Sequence, residues 1–148
     1  MKQPDYDDDY PTSVKTFSTL RIYSDQINPA EITRILKIKP TKSFQKGEVL
    51  SKARLFRKTN GWFFCTEKLV KSKDTRRHID FILQAIGRKT KAIELLRQRG
   101  CRLDIFSYFV SIGQGGPMLS PYQMLKLGKL NIVVGWDIYF HDEDKKTS

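Results

Sequence analysis

Cysteine and histidine are scarce in this chain, with two of each in 148 residues. Two thiols, Cys65 and Cys101, are too few for a disulfide framework or a sulfur-rich zinc site. No Cys/His cluster stands at ligand spacing, so no metal and no cofactor is expected. Both cysteines lie in strand-like surroundings ("WFFC", "CRLDIF") and are read as small core residues of a reducing cytoplasm. Long apolar runs are also missing. The longest, "LNIVVGWDIYF", is interrupted by Asn and Asp and is half the length of a membrane span. "MKQPDYDDDY" has no apolar stretch of the kind a secretory signal needs. These absences predict a cytoplasmic protein with no membrane partner.

Catalytic signatures are missing too. The Walker pattern does not occur, and "GQGGPMLSP" (113–121) has Gly113 and Gly115 but Met118 where a dinucleotide loop needs a third glycine. There is no nucleophile elbow. Asp25, Glu31, Glu48, Glu67, Asp104 and Asp137 are the carboxylates available for acid–base work, and nothing in their spacing pairs them. His78, between "RR" and an apolar helix face, reads as a surface residue. An enzyme is the least supported class.

What the chain does have is positive charge. The formal net charge is +11. Between Thr16 and Phe140 stand 23 Lys and Arg against 9 Asp and Glu, and residues 34–58 hold nine basic residues and one acidic one, Glu48. Such a field suits a polyanion or an acidic protein surface, and equally a solvated face. Acidic residues gather at the ends, as Asp5 and Asp7–Asp9 and again as Asp142–Asp144. Residues 1–15 are expected to be a disordered acidic arm that folds back on the basic core, and 141–148 a disordered tail. Residues 16–140 are expected to form a single domain.

Within that domain, "TFSTLRIYS" (16–24) alternates as a strand does. "INPAEITRILKIK" opens with dense helix-start chemistry: Asn28 as N-cap, Pro29 at N1, Glu31 placed to close a capping box, and an Ile27–Ile32 staple, with Pro40 as the stop. Residues 40–61 are a basic loop or an irregular excursion with a short strand. "GWFFCTEKL" (61–69) is a strand. Residues 74–100 carry a helical stripe (Ile79, Ile82, Leu83, Ile86, then Ile93 and Leu96), capped by Asp74 and ended by Gly100, with a break near 87–90. A strand (101–112), a short helix (120–129) and a last strand (131–140) follow. Ile132, Val134, Trp136, Ile138 and Phe140 share one face of that last strand, and Gly135 marks a bulge or close contact.

"INPAEI" (27–32) and "LSPYQM" (119–124) repeat one device: aliphatic residue, cap, proline, then Glu or Gln three residues after the cap. Each sits between strands. The expected fold is α+β: a mainly antiparallel four- to five-stranded sheet with helices on one face, ferredoxin-like, with an internal βαβ repeat. In that reading "GQGGP" is a turn whose glycines take positive φ, with a possible anion nest at Gly115–Gly116.

The pieces "LRIYSDQINPAEITRILKIKPTKSFQKGE", "GWFF", "HIDFILQAI", "FSYFVSIGQGGPMLSP" and "DIYF", in this order, resemble a bacterial family called domain of unknown function 4279. The basic 34–58 segment and the acidic arm depart from its pattern. The resemblance implies a small cytosolic protein and carries no catalytic residues with it.

The expected function is a non-enzymatic binding module that engages a protein partner, or itself as a homodimer, through sheet edge and loops, in a regulatory or immunity-like role. The alternative is binding of nucleic acid or a phosphorylated ligand. Its contacts would be Lys39, Lys42, Lys46, Arg54, Arg57 and Lys58, with Arg76, Arg77, Gly115 and Gly116. Strand aromatics beside a basic loop are a general recipe for RNA binding, although the RNP1 pattern is not matched.

Overall fold

The computed structural model describes residues 5–50 and 55–141. It is an α+β fold with a five-stranded, mostly antiparallel sheet and four helices. In chain order these are β1 (Ser13–Ser24), α1 (Pro29–Leu36), β2 (Lys42–Phe44), β3 (Asn60–Cys65), α2 (Thr75–Ile86), α3 (Thr90–Gln98), β4 (Arg102–Ser111), α4 (Pro121–Lys129) and β5 (Val133–Phe140). The sheet order is β2-β3-β1-β4-β5. β1 is the central strand and pairs antiparallel with both β3 and β4. β5 runs parallel to β4 at one edge, and β2 runs antiparallel to β3 at the other.

Alternation along the strands divides the sheet into two faces. Leu20 and Ile22 of β1, Trp62 and Phe64 of β3 and Ile105 of β4 point into one core with Ile32, Leu36, Ile79, Ile82, Ile86, Ile93 and Leu96 from the helices. The helices therefore share one face. The Trp62 indole N–H donates to the Thr33 hydroxyl at 2.9 Å, which ties α1 to the sheet without leaving a buried donor unpaired. Toward the start of β1 the same inward face becomes polar. The Ser18 and Ser107 hydroxyls are 2.6 Å apart, and Thr16 meets Thr75 at 2.9 Å.

The repeated helix start is present in both copies, with nearly equal cap dihedrals. Asn28 has φ −75° and ψ 159°, and Ser120 has φ −78° and ψ 156°. Only the second copy closes the capping box, where Ser120 N–H donates to Gln123 Oε1 at 3.0 Å. Glu31 turns outward instead, to Arg34 and Arg99. Two guanidiniums offer its carboxylate more than one backbone N–H does.

Several expectations are corrected. α1 ends at Leu36, before Pro40, because Lys37 adopts the left-handed conformation (φ 56°) and its N–H returns to the Thr33 carbonyl. β3 stops at Cys65, since Thr66 turns to pair with Ser18. The 74–100 segment is two helices, α2 and α3, as the glycine at 87 predicted. His78 is buried, not a surface residue: α2 lays its first turn on the polar end of the sheet, where Thr66 receives the imidazole. Cys101 is buried, but Cys65 is half-exposed because it falls on the helix-free face.

Candidate binding surfaces

Residues 5–12 of the acidic arm lie against α2 and the β4–α4 loop. Arg77 donates to the Asp8 carboxylate at 2.8 Å, and its guanidinium stacks 4.2 Å from the centre of the Tyr6 ring. The Tyr6 hydroxyl donates to Asp80. The Asp7 N–H donates to Asp74 at 2.8 Å. Tyr10 donates to the Gly116 carbonyl at 2.9 Å. Burial pushes the Asp74 carboxyl up, but Arg76 and two backbone N–H donors outweigh it and hold the group below its ordinary range. The arm thus occupies the end of the molecule where α2 begins; the expected tail beyond His141 lies outside the described residues.

This explains one glycine of "GQGGP". Gly115 takes φ +115°, and a Cβ there would stand 3.0 Å from Thr12 Cγ2. Gly115 is required where the arm crosses the loop closely, whereas a Cβ at Gly113 or Gly116 would meet nothing within 4 Å. Gly113 and Gly116 do not take positive φ.

The sequence-predicted contacts divide into two groups. Ser24 pairs with Asn60, so the segment between β2 and β3 emerges at the Ser24 end of the sheet. Ser13 pairs with Ser111, so the glycine loop, the arm, Arg76 and Arg77 lie at the opposite end. Lys42, Lys46, Arg57 and Lys58 belong to the first group, and Lys39 is exposed ahead of β2. Arg54 lies outside the described residues. Arg76 is held by Asp74 at 2.7 Å and by the Asp5 carbonyl, and Arg77 by Asp8. The ten residues do not form one site.

Most of the candidate acid–base carboxylates are engaged. Asp104 takes a two-pronged bond from Arg21 at 2.7 and 2.8 Å; Glu31, Asp25 and Glu67 pair with arginine or lysine; Glu48 accepts the Gln45 N–H. Among the described residues no group of three or more His, Cys, Asp or Glu is placed to hold a metal ion.

Two other surfaces remain. The first is the free edge of β5. Val133 is 69% exposed and Phe140 77%, and Ile138 and Tyr139 are also exposed. The predicted apolar face exists, yet its outer half, Ile138 and Phe140, is uncovered. Gly135 is the expected close contact: a Cβ there would fall 2.3 Å from the Phe106 ring.

The second is the helix-free face of the sheet, where aromatic rings and arginines interleave. Phe17 stacks on Tyr108 at 4.8 Å, and Tyr108 meets Tyr139. Arg21 lies 4.0 Å over Phe106, and Tyr23 meets Phe63, which meets Phe44. Arg57 covers Phe44 at 3.9 Å. In the 44–59 segment the described stretches 44–50 and 55–59 meet at a Val49–Phe56 bridge. They leave a cleft of about 390 Å³ against the sheet. The sequence signalled the basic charge of this segment but not its apolar side, since Val49, Leu50, Leu55 and Phe56 show no period.

Comparison with known families finds that the model for Domain of unknown function (DUF4279) matches residues 14–141. No curated protein and no solved structure matches.

Proposed function

The chain belongs to the DUF4279 family, and from that premise we propose a non-enzymatic binding module that joins a second copy of itself edge to edge through β5. The observation that carries this reading is the unprotected edge. An exposed edge strand is ordinarily blunted by lysine, proline, a bulge or shortness. β2, at the other edge, is three residues long and carries Lys42. β5 is eight residues long, with Asp137 as its one charge and no proline.

Pairing about a two-fold axis normal to the sheet keeps both sets of helices on one side, so opposed residues must come from the same face. An axis at Asp137 would set that carboxylate against its own mate. An axis at Trp136 sets Val134 against Ile138 and Val133 against Tyr139, with Asp137 opposite Gly135. That register joins apolar pairs and avoids the charge clash.

In this reading β3, antiparallel between β1 and β2, followed by helices and then β4, is a ferredoxin-like arrangement extended by β4-α4-β5. The two free cysteines support a reducing, cytoplasmic setting. Sedimentation equilibrium at micromolar concentrations tests the pairing. The expected mass is twice the 17.3 kDa of one chain, and Ile138→Lys, at an exposed position, returns it to one. A wild-type chain that stays monomeric throughout overturns the reading.

A further inference from the structure

We propose that the cleft between the helix-free sheet face and the 44–59 segment binds single-stranded nucleic acid, with one base held among its aromatic rings and the adjoining phosphates on its cationic rim.

The lining carries two kinds of chemistry. Tyr23, Phe44, Phe56 and Phe63 supply aromatic surface, and Arg57 and Lys58 supply charge. Among the described residues no carboxylate lines the cleft. Among the described residues no carboxylate pairs with Arg57 or Lys58 either, whereas Arg21, Arg76, Arg77, Arg99 and Arg102 are all paired. An anion is therefore the complement. The Arg57 guanidinium carbon stands 3.9 Å over the centre of the Phe44 ring, and a guanidinium offers phosphate oxygens a planar fork of N–H donors.

The aromatic content narrows the anion. Phe56 is 56% exposed, and Leu50 and Leu55 beside it are also uncovered. Large apolar groups left in water next to unpaired cations suit a ligand with both a π-face and a negative charge. The volume, about 390 Å³, is in the range of small-ligand sites. Beyond the cleft, the rings continue across the sheet through Tyr23 to Arg21 and Phe106, which provides stacking surface for following bases. Lys42, opposite Phe63 in register and exposed, extends the cationic rim on the same face. A duplex hides its base faces and would use the charge alone.

The test is fluorescence anisotropy of a labelled twelve-nucleotide single strand against the full chain, over a salt series, with the matching duplex as comparison. Three neutralised phosphates give a log–log salt slope of about −2 for a single strand. Phe56→Ala, at an exposed position, is expected to weaken binding about tenfold. Lys58→Gln is expected to weaken it and flatten the salt slope, and circular dichroism checks that both variants fold. No saturable binding at low salt overturns the proposal. So does duplex binding as tight as single-strand binding, and so does single-strand binding that Phe56→Ala leaves unchanged. β5 lies at the other sheet edge, so Ile138→Lys is expected to leave the isotherm's midpoint unchanged, which separates this proposal from the pairing reading.

Discussion

Gly135→Ala is a one-carbon change with a large expected cost. The new Cβ would stand 2.3 Å from Phe106 Cε2 and 2.4 Å from Cζ, well inside contact distance. The ring cannot slip away freely. Arg21 lies 4.0 Å over it, and that guanidinium is clamped to Asp104 by bonds of 2.7 and 2.8 Å. Burial pushes the Arg21 pKa down, but the hydrogen bonds to Asp104 outweigh it and raise the group above its ordinary value, so the clamp holds a full charge. Overpacking of this kind costs about 1–3 kcal/mol. Losing the cation–π contact at this half-buried site adds about 0.5–1 kcal/mol. Alanine returns about 0.5–1 kcal/mol by restricting the unfolded chain relative to glycine. The net expectation is a loss of about 1–3 kcal/mol, read as a lowered urea midpoint at unchanged slope. Gly116→Ala is the control, because a Cβ there meets nothing within 4 Å and the φ is not positive. It is expected to stay within about 0.5 kcal/mol. A double-mutant cycle isolates the cause: in a Phe106→Ala background the clash partner is gone, and Gly135→Ala becomes neutral or mildly stabilising. Equal costs in both backgrounds would refute the steric reasoning.

Two further outcomes follow from the polar end of the molecule. Burial holds the His78 pKa below its ordinary 6.5. The Ser72 carbonyl accepts from Nε2 at 2.9 Å, and the Thr66 hydroxyl meets Nδ1 at 2.6 Å. The unfolded chain therefore binds the proton more readily. Stability is full above about pH 6.5 and declines as the pH falls toward the folded-state pKa. Urea denaturation stepped from neutral pH to about pH 5, with the His78 ring followed by NMR, checks it; stability that is flat or rises on acidification contradicts it. Removing residues 1–11 uncovers Arg77 and the Asp80 carboxylate together. Polyanion binding measured by anisotropy is then expected to tighten severalfold, since Asp8 no longer screens Arg77. Unchanged affinity would show that the arm screens nothing.

The parts of the fold that the sequence disclosed share a physical reason. Asn28, Asp74 and Ser120 cap helices through neighbours two or three residues away, and such local chemistry can be read from order alone. The stripe of Ile79, Ile82, Leu83 and Ile86 is likewise local. What escaped depends on residues distant in the chain. His78 looked like a surface residue because its immediate neighbours are Arg76 and Arg77, yet its partner Thr66 comes from the turn after β3. The acidic arm is expected to meet the basic core, but the residues that hold it cannot be read from order alone, because Tyr6 finds Asp80 only in the folded chain. The alternation of β5 is visible in the sequence, but not that half of its apolar face stands bare, since that depends on what packs over it in the folded chain. In the sequence the basic residues read as one site because charge is additive there, whereas the sheet separates Arg57 from Arg77 by the length of β1. Position along the central strand, more than charge, therefore decides which cations can act together. At the Ser24 end Arg57 and Lys58 have no carboxylate partner among the described residues and stand beside exposed rings; at the Ser13 end the chain's own carboxylates already engage Arg76 and Arg77.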